Sequence, residues 1–390
     1  MPAESTSLEK EAETLLFFQE LKDIRDGIAV CNNGQAEVVK QHKPSEAISA
    51  ADLEKMELPP LTYLVNEILP QGGIAVLAAP PKSYKSFLVL DMLCSITTGR
   101  PFLGFQTTKT AALYYDLESG KRRPRDRLKT ILQGKPFPRD LYIVTAETKP
   151  GTMDEGFLED MAFHLEEHPE IRLIVIDVFQ KIRGKKSRSL NAYEADYKEL
   201  SELQEFAINH GVTLFFLTHT SQKESADYLN MFTGSSGITG SADTLWFIQK
   251  KRKEQEGVLR ITGKDARPQD LSINWQENAC RWRNMGDADE RAEQLALERR
   301  NQEYNGSMIP RTIKALLQQN GGKWAGTSEE IRQASIYLCN GFAITENCRG
   351  VGKFISNNTD LLYAVDDIKT ELPKGGGRDG RKYTFTCSTC

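Results

Sequence analysis

Residues 74–86 read IAVLAAPPKSYKS: an apolar run, a turn bounded by prolines, then Lys85 and Ser86 at the head of a second apolar segment. That is the layout of a strand, a phosphate-binding loop and a helix. In the pattern G-x-x-x-x-G-K-[ST], backbone N–H groups surround phosphate, the lysine reaches the β/γ-phosphates and the hydroxyl serves Mg²⁺. Here Ala79 and Tyr84 occupy the two glycine places, so the predicted loop is Ala79, Pro80, Pro81, Lys82, Ser83, Tyr84, Lys85 and Ser86. The residue before the loop lysine lies where backbone passes closest to the β-phosphate, and a side chain there crowds phosphate unless the loop opens outward.

The flanks fit. Gly73 to Leu77 form a short apolar strand, and Phe87 to Ile96 an apolar helix closed by Thr98-Gly99, with Pro101 beyond. Between about 58 and 285, apolar runs alternate with helical segments, the signature of an α/β domain with a mostly parallel sheet. The predicted strands are Ile74–Leu77, Ala111–Tyr115, Leu141–Thr145, Leu173–Ile176, Val212–Leu217, Thr244–Ile248, Val258–Thr262 and Leu271–Trp275. The last three are too close for intervening helices and are expected to end the sheet in antiparallel hairpins.

Ligands of parallel sheets collect at the strand C-terminal ends. The second strand ends in Tyr115-Asp116-Leu117-Glu118; the fourth ends in Asp177 after LIVI, a hydrophobic run plus aspartate suited to holding Mg²⁺ through water; the fifth ends in Thr218-His219. Taken singly, Asp177 reads equally as a helix cap and His219 as a hydrogen-bonded surface histidine. Their repetition at successive strand ends favours one nucleotide site.

The series LAAPPKSYKS, LYYDLES, LIVIDVFQKIR, LFFLTHTSQKE, GSSGITGSADTLW and LRITGKDAR resembles the RecA-like ATPase core of plasmid RepA-type hexameric replicative helicases, relatives of the DnaB type, over about 58 to 285. The resemblance implies ATP and Mg²⁺ as ligands, with Ser86 and Asp177 in the metal shell. It further implies that Glu118 activates the attacking water and that His219 senses the γ-phosphate and relays its presence to a DNA-binding loop. That loop would be residues 220 to 240, with Lys223 as its one cation; a mobile loop without a DNA role stays open. Lys264 and Arg267, after the late strand LRIT, would complete a neighbour's site in the ring, while the run Lys250 to Lys253 reads as a solvated face. Single-stranded DNA, a homo-hexamer, and a replication initiator or primase are the partners implied.

Fifty Lys+Arg against 54 Asp+Glu leave a net charge of −4, so no global basic field exists to grip duplex DNA and any nucleic-acid contact is local. With no signal-like start and no apolar run near membrane length, the chain is expected to be cytoplasmic. Seven scattered cysteines lack framework spacing and point to free thiols in a reducing compartment; Cys387 and Cys390 form a lone C-x-x-C.

Four regions are expected: a helical and linker segment over 1–57, with Leu15, Phe18, Leu21, Ile24 and Ile28 at helical spacing and a polar linker from Asn32 to Ala50; the core over 58–285; a charged helical linker over 286–306; and a small domain over 307–390. The small domain's core positions are Ile313, Leu316, Leu317, Trp324, Ile331, Phe354, Leu361, Leu362, Tyr383 and Phe385. Thr327-Ser328-Glu329-Glu330 reads as a helix start, and a further helix is expected from about Arg349 to Ser356. LLYAV and KYTF read as two strands around a glycine-rich turn carrying Lys374, Arg378, Arg381 and Lys382. Three helices and a basic hairpin suggest a winged-helix-like α+β domain that binds DNA or protein through that turn. A nucleotide-gated DNA-binding or loader protein with little turnover, and a RecA/RadA-like recombination ATPase, are the alternative readings.

Overall fold

Apolar runs without alternation, such as LIVID and LFFLTH, need cover on both faces and settle in the middle of a sheet. The computed structural model of the chain describes residues 30–32, 35–37, 47–184, 192–220, 228–232, 236–251, 253–338, 343–373 and 382–387. Contacts divide the chain after Pro60 into two units.

In the first unit, β1 (Val30–Asn32) and β2 (Gln35–Glu37) form an antiparallel hairpin. It lies partly where a polar linker was expected, and the helix predicted before it lies outside the described residues. Helix α1 (Ala50–Lys55) starts at Ser49, whose hydroxyl accepts from the Asp52 amide.

The second unit opens with the small pair β3 (Tyr63–Val65) and β4 (Leu69–Pro70). There follow β5 (Gly73–Ala79), α2 (Lys85–Thr98), β6 (Ala111–Asp116), α3 (Arg122–Leu132), β7 (Leu141–Thr145), α4 (Phe157–Glu167), β8 (Ile171–Asp177), α5 (Ala192–His210) and β9 (Thr213–His219). After these come α6 (Ser236–Ser241), β10 (Thr244–Gln249), β11 (Glu256–Gly263), β12 (Gln269–Gln276) and β13 (Arg281–Asp287). They form one sheet in the order β13-β12-β11-β10-β5-β9-β8-β6-β7. The strands from β10 to β7 are parallel, and β11 to β13 close the other side antiparallel. The fold class is therefore the expected α/β, RecA-like core with a mostly parallel sheet.

The two halves of the sheet differ as their sequences do. Every residue of β6 is buried, whereas β11 and β12 keep half-buried positions between buried ones, the mark of strands with one wetter face. β13 went unpredicted because RWRNMGD carries only two apolar side chains; it is held by pairing with β12, Trp275 opposite Trp282. One core packs α2 and α3 on one face of the sheet, and a second packs α4 and α5 on the other. Helix α2 is buried on nearly all sides and ends at Gly99 in the left-handed region, φ 72°, a conformation glycine adopts without strain.

After β13, Asp287 caps α7 (Ala288–Gly306) through the Asp289 and Glu290 amides. The remaining elements are α8 (Met308–Gln319), β14 (Lys323–Thr327), α9 (Ser328–Leu338), α10 (Cys348–Asn357), α11 (Thr359–Asp366), β15 (Ile368–Glu371) and β16 (Lys382–Cys387). The strands pair in the order β14-β16-β15, antiparallel throughout. This region has its own core, which includes eight of the ten expected positions, with Trp324 and Phe354 packed at its margin. The start of α9 is the predicted one: the Thr327 hydroxyl and the Glu330 carboxylate cap each other's amides. LLYAV, expected as a strand, is helical. Leu361 and Leu362 face the core, Asp367 turns left-handed to close the helix, and the strand begins one residue later at Ile368.

Among the described residues, no helix is long and apolar enough to cross a membrane. Cys94, Cys280, Cys348 and Cys387 are free thiols, and Cys390 lies outside the described residues.

One buried charge ties α2 to the sheet edge. Asp91 accepts from Arg100 at 2.5 Å and from Arg281 of β13 at 2.7 Å. Removing the shared carboxylate strands two cations, and breaking such a buried cluster costs about 3–5 kcal/mol. Asp91→Ala is expected to lower unfolding stability by that amount in urea titration, and Arg281→Ala by less, because Arg100 still pairs.

Candidate functional site

Register assembles the site. Ala79 pairs with His219 between β5 and β9, and Asp116 pairs with Asp177 between β6 and β8. Four parallel strands thus end level, and the groups just past their ends share one rim. Lys85, Asp177 and His219 converge there, Lys85 and Asp177 buried and His219 half-buried, while Glu118 sits exposed on the rim beyond β6.

The loop from Pro80 to Tyr84 turns sharply, with Ser83 N–H donating to the Pro80 carbonyl at 3.3 Å. Lys82 and Tyr84 both adopt left-handed backbone, φ 62° and 61°. Glycine takes this conformation freely; for tyrosine it costs roughly 1–2 kcal/mol. What holds Tyr84 there is its ring. It stacks on Trp275 of β12 at 4.0 Å between centroids and 2° between planes, with Trp282 and Phe87 at its edges. Lys250 Nζ lies over the same ring at 5.4 Å, and the side chain remains 39% exposed. Lys250 is thus part of the loop's surroundings, which the charge run it belongs to did not reveal.

Lys85 Nζ is 3.1 and 3.2 Å from the two ring nitrogens of His219. Near-equal distances mean that Nζ lies on the lone-pair axis of neither, so the contact is a loose one. Burial lowers the Lys85 ammonium below the ordinary lysine range, against the pull of Asp177 and Glu118. Burial lowers His219 too, reinforced by the Lys85 charge. Asp177 is pushed up by burial, opposed by Ser86, Lys85 and Tyr114, whose hydroxyl donates to Oδ2 at 2.9 Å. Each buried charge is short of counter-charge: an anion beside Lys85 and a cation beside Asp177 would relieve both. Asp177 Oδ1 and Ser83 Oγ are buried without a hydrogen-bond partner, one an acceptor for a metal-bound water and the other a donor for phosphate. The residues present therefore fit a nucleotide with Mg²⁺.

Asp116 braces the rim, accepting from the Ser119 hydroxyl and, at 3.3 Å, from the Glu118 amide. Arg127 of α3, which the sequence did not single out, is half-buried over the Phe87 ring at 5.2 Å and acts electrostatically on Tyr114. Its place is set by the packing of α3, invisible in a charged helix.

Lys264 and Arg267 do not join this site within the protomer. Gly263 pairs with Thr244, which pairs with Ala75, so both cations lie at the opposite end of the sheet from Ala79. There Lys264 pairs with Asp243 at 2.7 Å and Arg267 with Glu67 at 3.1 Å. Lys223, Arg378 and Arg381 lie outside the described residues; Lys382 is exposed at the start of β16.

A family model described as an AAA domain matches residues 41–225. No curated protein is significantly similar to the chain. Among solved structures, an ATPase domain determined on its own matches with a TM-score of 0.43 at 14% identity, over 55% of this chain and 84% of that one. A DnaB-like replicative helicase, described with its interactions with primase, matches with a TM-score of 0.44 at 14% identity, over 55% of this chain. The chain spans 57% of that helicase's length.

The stacked, left-handed Tyr84 sets an order for three variants. Tyr84→Ala loses a stack worth about 0.5–1.5 kcal/mol beyond burial and keeps the backbone strain. Tyr84→Gly loses the stack and relieves the strain, so it is expected to be the more stable of the two in denaturant titration. Tyr84→Phe should retain wild-type stability and tryptophan emission. An alanine variant as stable as the glycine variant would contradict the strain.

Proposed function

We propose that this chain is an ATP-dependent, ring-forming DNA helicase or helicase-like replication ATPase. The observation that carries the reading is the convergence of Lys85, Ser86, Asp177, Glu118 and His219 on one rim, with uncompensated buried charge that a nucleotide and Mg²⁺ would satisfy. The AAA-domain match over 41–225 supports it, since it includes every one of these residues.

Lys85 and the loop amides would bind the ATP phosphates, and Ser86 and Asp177 would hold Mg²⁺. The metal, when bound, neutralises charge on the phosphates. Glu118, exposed beside the buried cluster, is placed to orient water and take its proton. His219 is the group from which Lys85 would turn when phosphate arrives, and its strand runs straight into the 220–240 segment. That contact change gives the proposed relay to DNA a physical first step. Lys264 and Arg267, held far from their own site by Asp243 and Glu67, would serve a neighbour's site in a ring. Single-stranded DNA, a homo-hexamer, an initiator or primase partner and a cytoplasmic location belong to the same proposal.

Tyr84 favours a second reading, a nucleotide-gated DNA-binding or loader protein with slow turnover, because a loop pinned by a ring stack rearranges less readily than one built on glycine.

Steady-state ATP hydrolysis with and without single-stranded DNA, beside sizing chromatography with ATP, tests the proposal. Turnover stimulated by the strand, lost in Lys85→Ala, and a hexameric elution volume are expected. Nucleotide binding without turnover would leave the loader reading. Glu118→Gln is expected to keep ATP affinity, measured with a fluorescent analogue, and to lose about 100-fold or more in kcat. Retained turnover in that variant would remove Glu118 from the catalytic role.

A further inference from the structure

Helix α10 is two-faced. Val351 and Ile355 are buried in the C-terminal core, while Arg349, Gly352, Lys353 and Ser356, at spacings of three and four, line the opposite stripe. That stripe forms one wall of a groove of about 600 Å³ whose other walls include Thr327, Ser328 and Tyr383. A glycine inside a helix weakens it by roughly 0.5–1 kcal/mol. Gly352 has a steric reason to be there, since a methyl group at that point would come 2.7 Å from the Tyr383 hydroxyl.

The charges of the groove are unequally engaged. Glu329 is taken up by Arg332, the Cys348 thiol and Gln333, which together hold its carboxylate down at about 2. Arg349 and Lys353 enter no ion pair among the described residues, and both are exposed. Lys382 is exposed beside Tyr383 at the start of β16. Residues 307–390 hold 11 Lys+Arg and 8 Asp+Glu, a net +3 in a chain whose total is −4. The positive charge is therefore local to the region that carries the groove.

We propose that the Arg349/Lys353 stripe of α10 binds double-stranded DNA, the helix entering the major groove while Thr327, Ser328 and Lys382 meet the flanking phosphates. This deepens the DNA-directed reading above and rests on it. A helix that is free along one side matches the roughly 12 Å width of the major groove. Single strands are gripped chiefly by stacking bases on exposed aromatic rings. The groove's one ring among the described residues, Tyr383, is buried in the core and offers no such platform. The chain would then hold duplex DNA at its C-terminal region and act on a strand at its ATPase core.

Fluorescence anisotropy of the full chain, without nucleotide, on a labelled mixed-sequence duplex of about 25 base pairs, on one of its strands and on the matching RNA duplex tests the proposal. The DNA duplex is expected to bind tightest. In Arg349→Ala/Lys353→Ala, duplex affinity should fall about tenfold or more, and the slope of log K against log salt should flatten by about two. Arg349→Lys should retain most of the binding, and a melting curve and ATP affinity matching wild type will show that the double variant is folded with its nucleotide site intact. Unchanged duplex binding in that variant, or a preference for the single strand or the RNA duplex, overturns the assignment. Because nucleotide binding and turnover are read separately, a chain that binds ATP but no duplex refutes only this proposal, and one that binds duplex but no ATP refutes only the ATPase reading.

Discussion

Everything at the candidate site depends on parallel strands ending level. Parallel pairing fixes β5 against β9 and β6 against β8 residue by residue, so Ala79 meets His219 and Asp116 meets Asp177. A slip of one residue would turn each of these groups to the other face of the sheet. The apolar runs that lock the register are therefore as much a part of the site as Lys85. The two-sided burial that drives the pairing also starves Lys85 and Asp177 of solvent, and so creates the electrostatic deficit that a nucleotide and its metal would fill.

How much of this was legible in the sequence varied with how local each signal is. The parallel strands were readable because each is a continuous apolar run, and each observed strand differs from its expected bounds by two residues or fewer at either end. β13 was not, because its residues join the sheet through pairing with β12 rather than through any pattern of their own. LLYAV misled for the opposite reason: five residues rich in apolar side chains fit a strand or a helix, and only the packing of Leu361 and Leu362 decides. The site followed the same rule. Lys85, Glu118, Asp177 and His219 were found because they sit at strand ends. Arg127 and Lys250 reach the site through tertiary packing and carry no mark in the chain.

The C-terminal region shows one glycine used for closeness rather than for conformation. Gly352 lies in a helix with ordinary backbone, and what it permits is the approach of the Tyr383 hydroxyl. The same contact fixes β16 against α10, so the charged stripe and the strand bearing Lys382 keep a set spacing.

Tyr84 inverts the usual economy of a phosphate loop. A glycine loop owes its shape to its own freedom and is stiffened by the ligand. Here the left-handed turn is propped from outside by Trp275, which belongs to the antiparallel half of the sheet and pairs in turn with Trp282 of the edge strand. The loop's geometry is thus lodged in residues far along the chain. A search keyed to glycines would pass this chain by, and one that asked which neighbour holds the residue before the lysine left-handed would not.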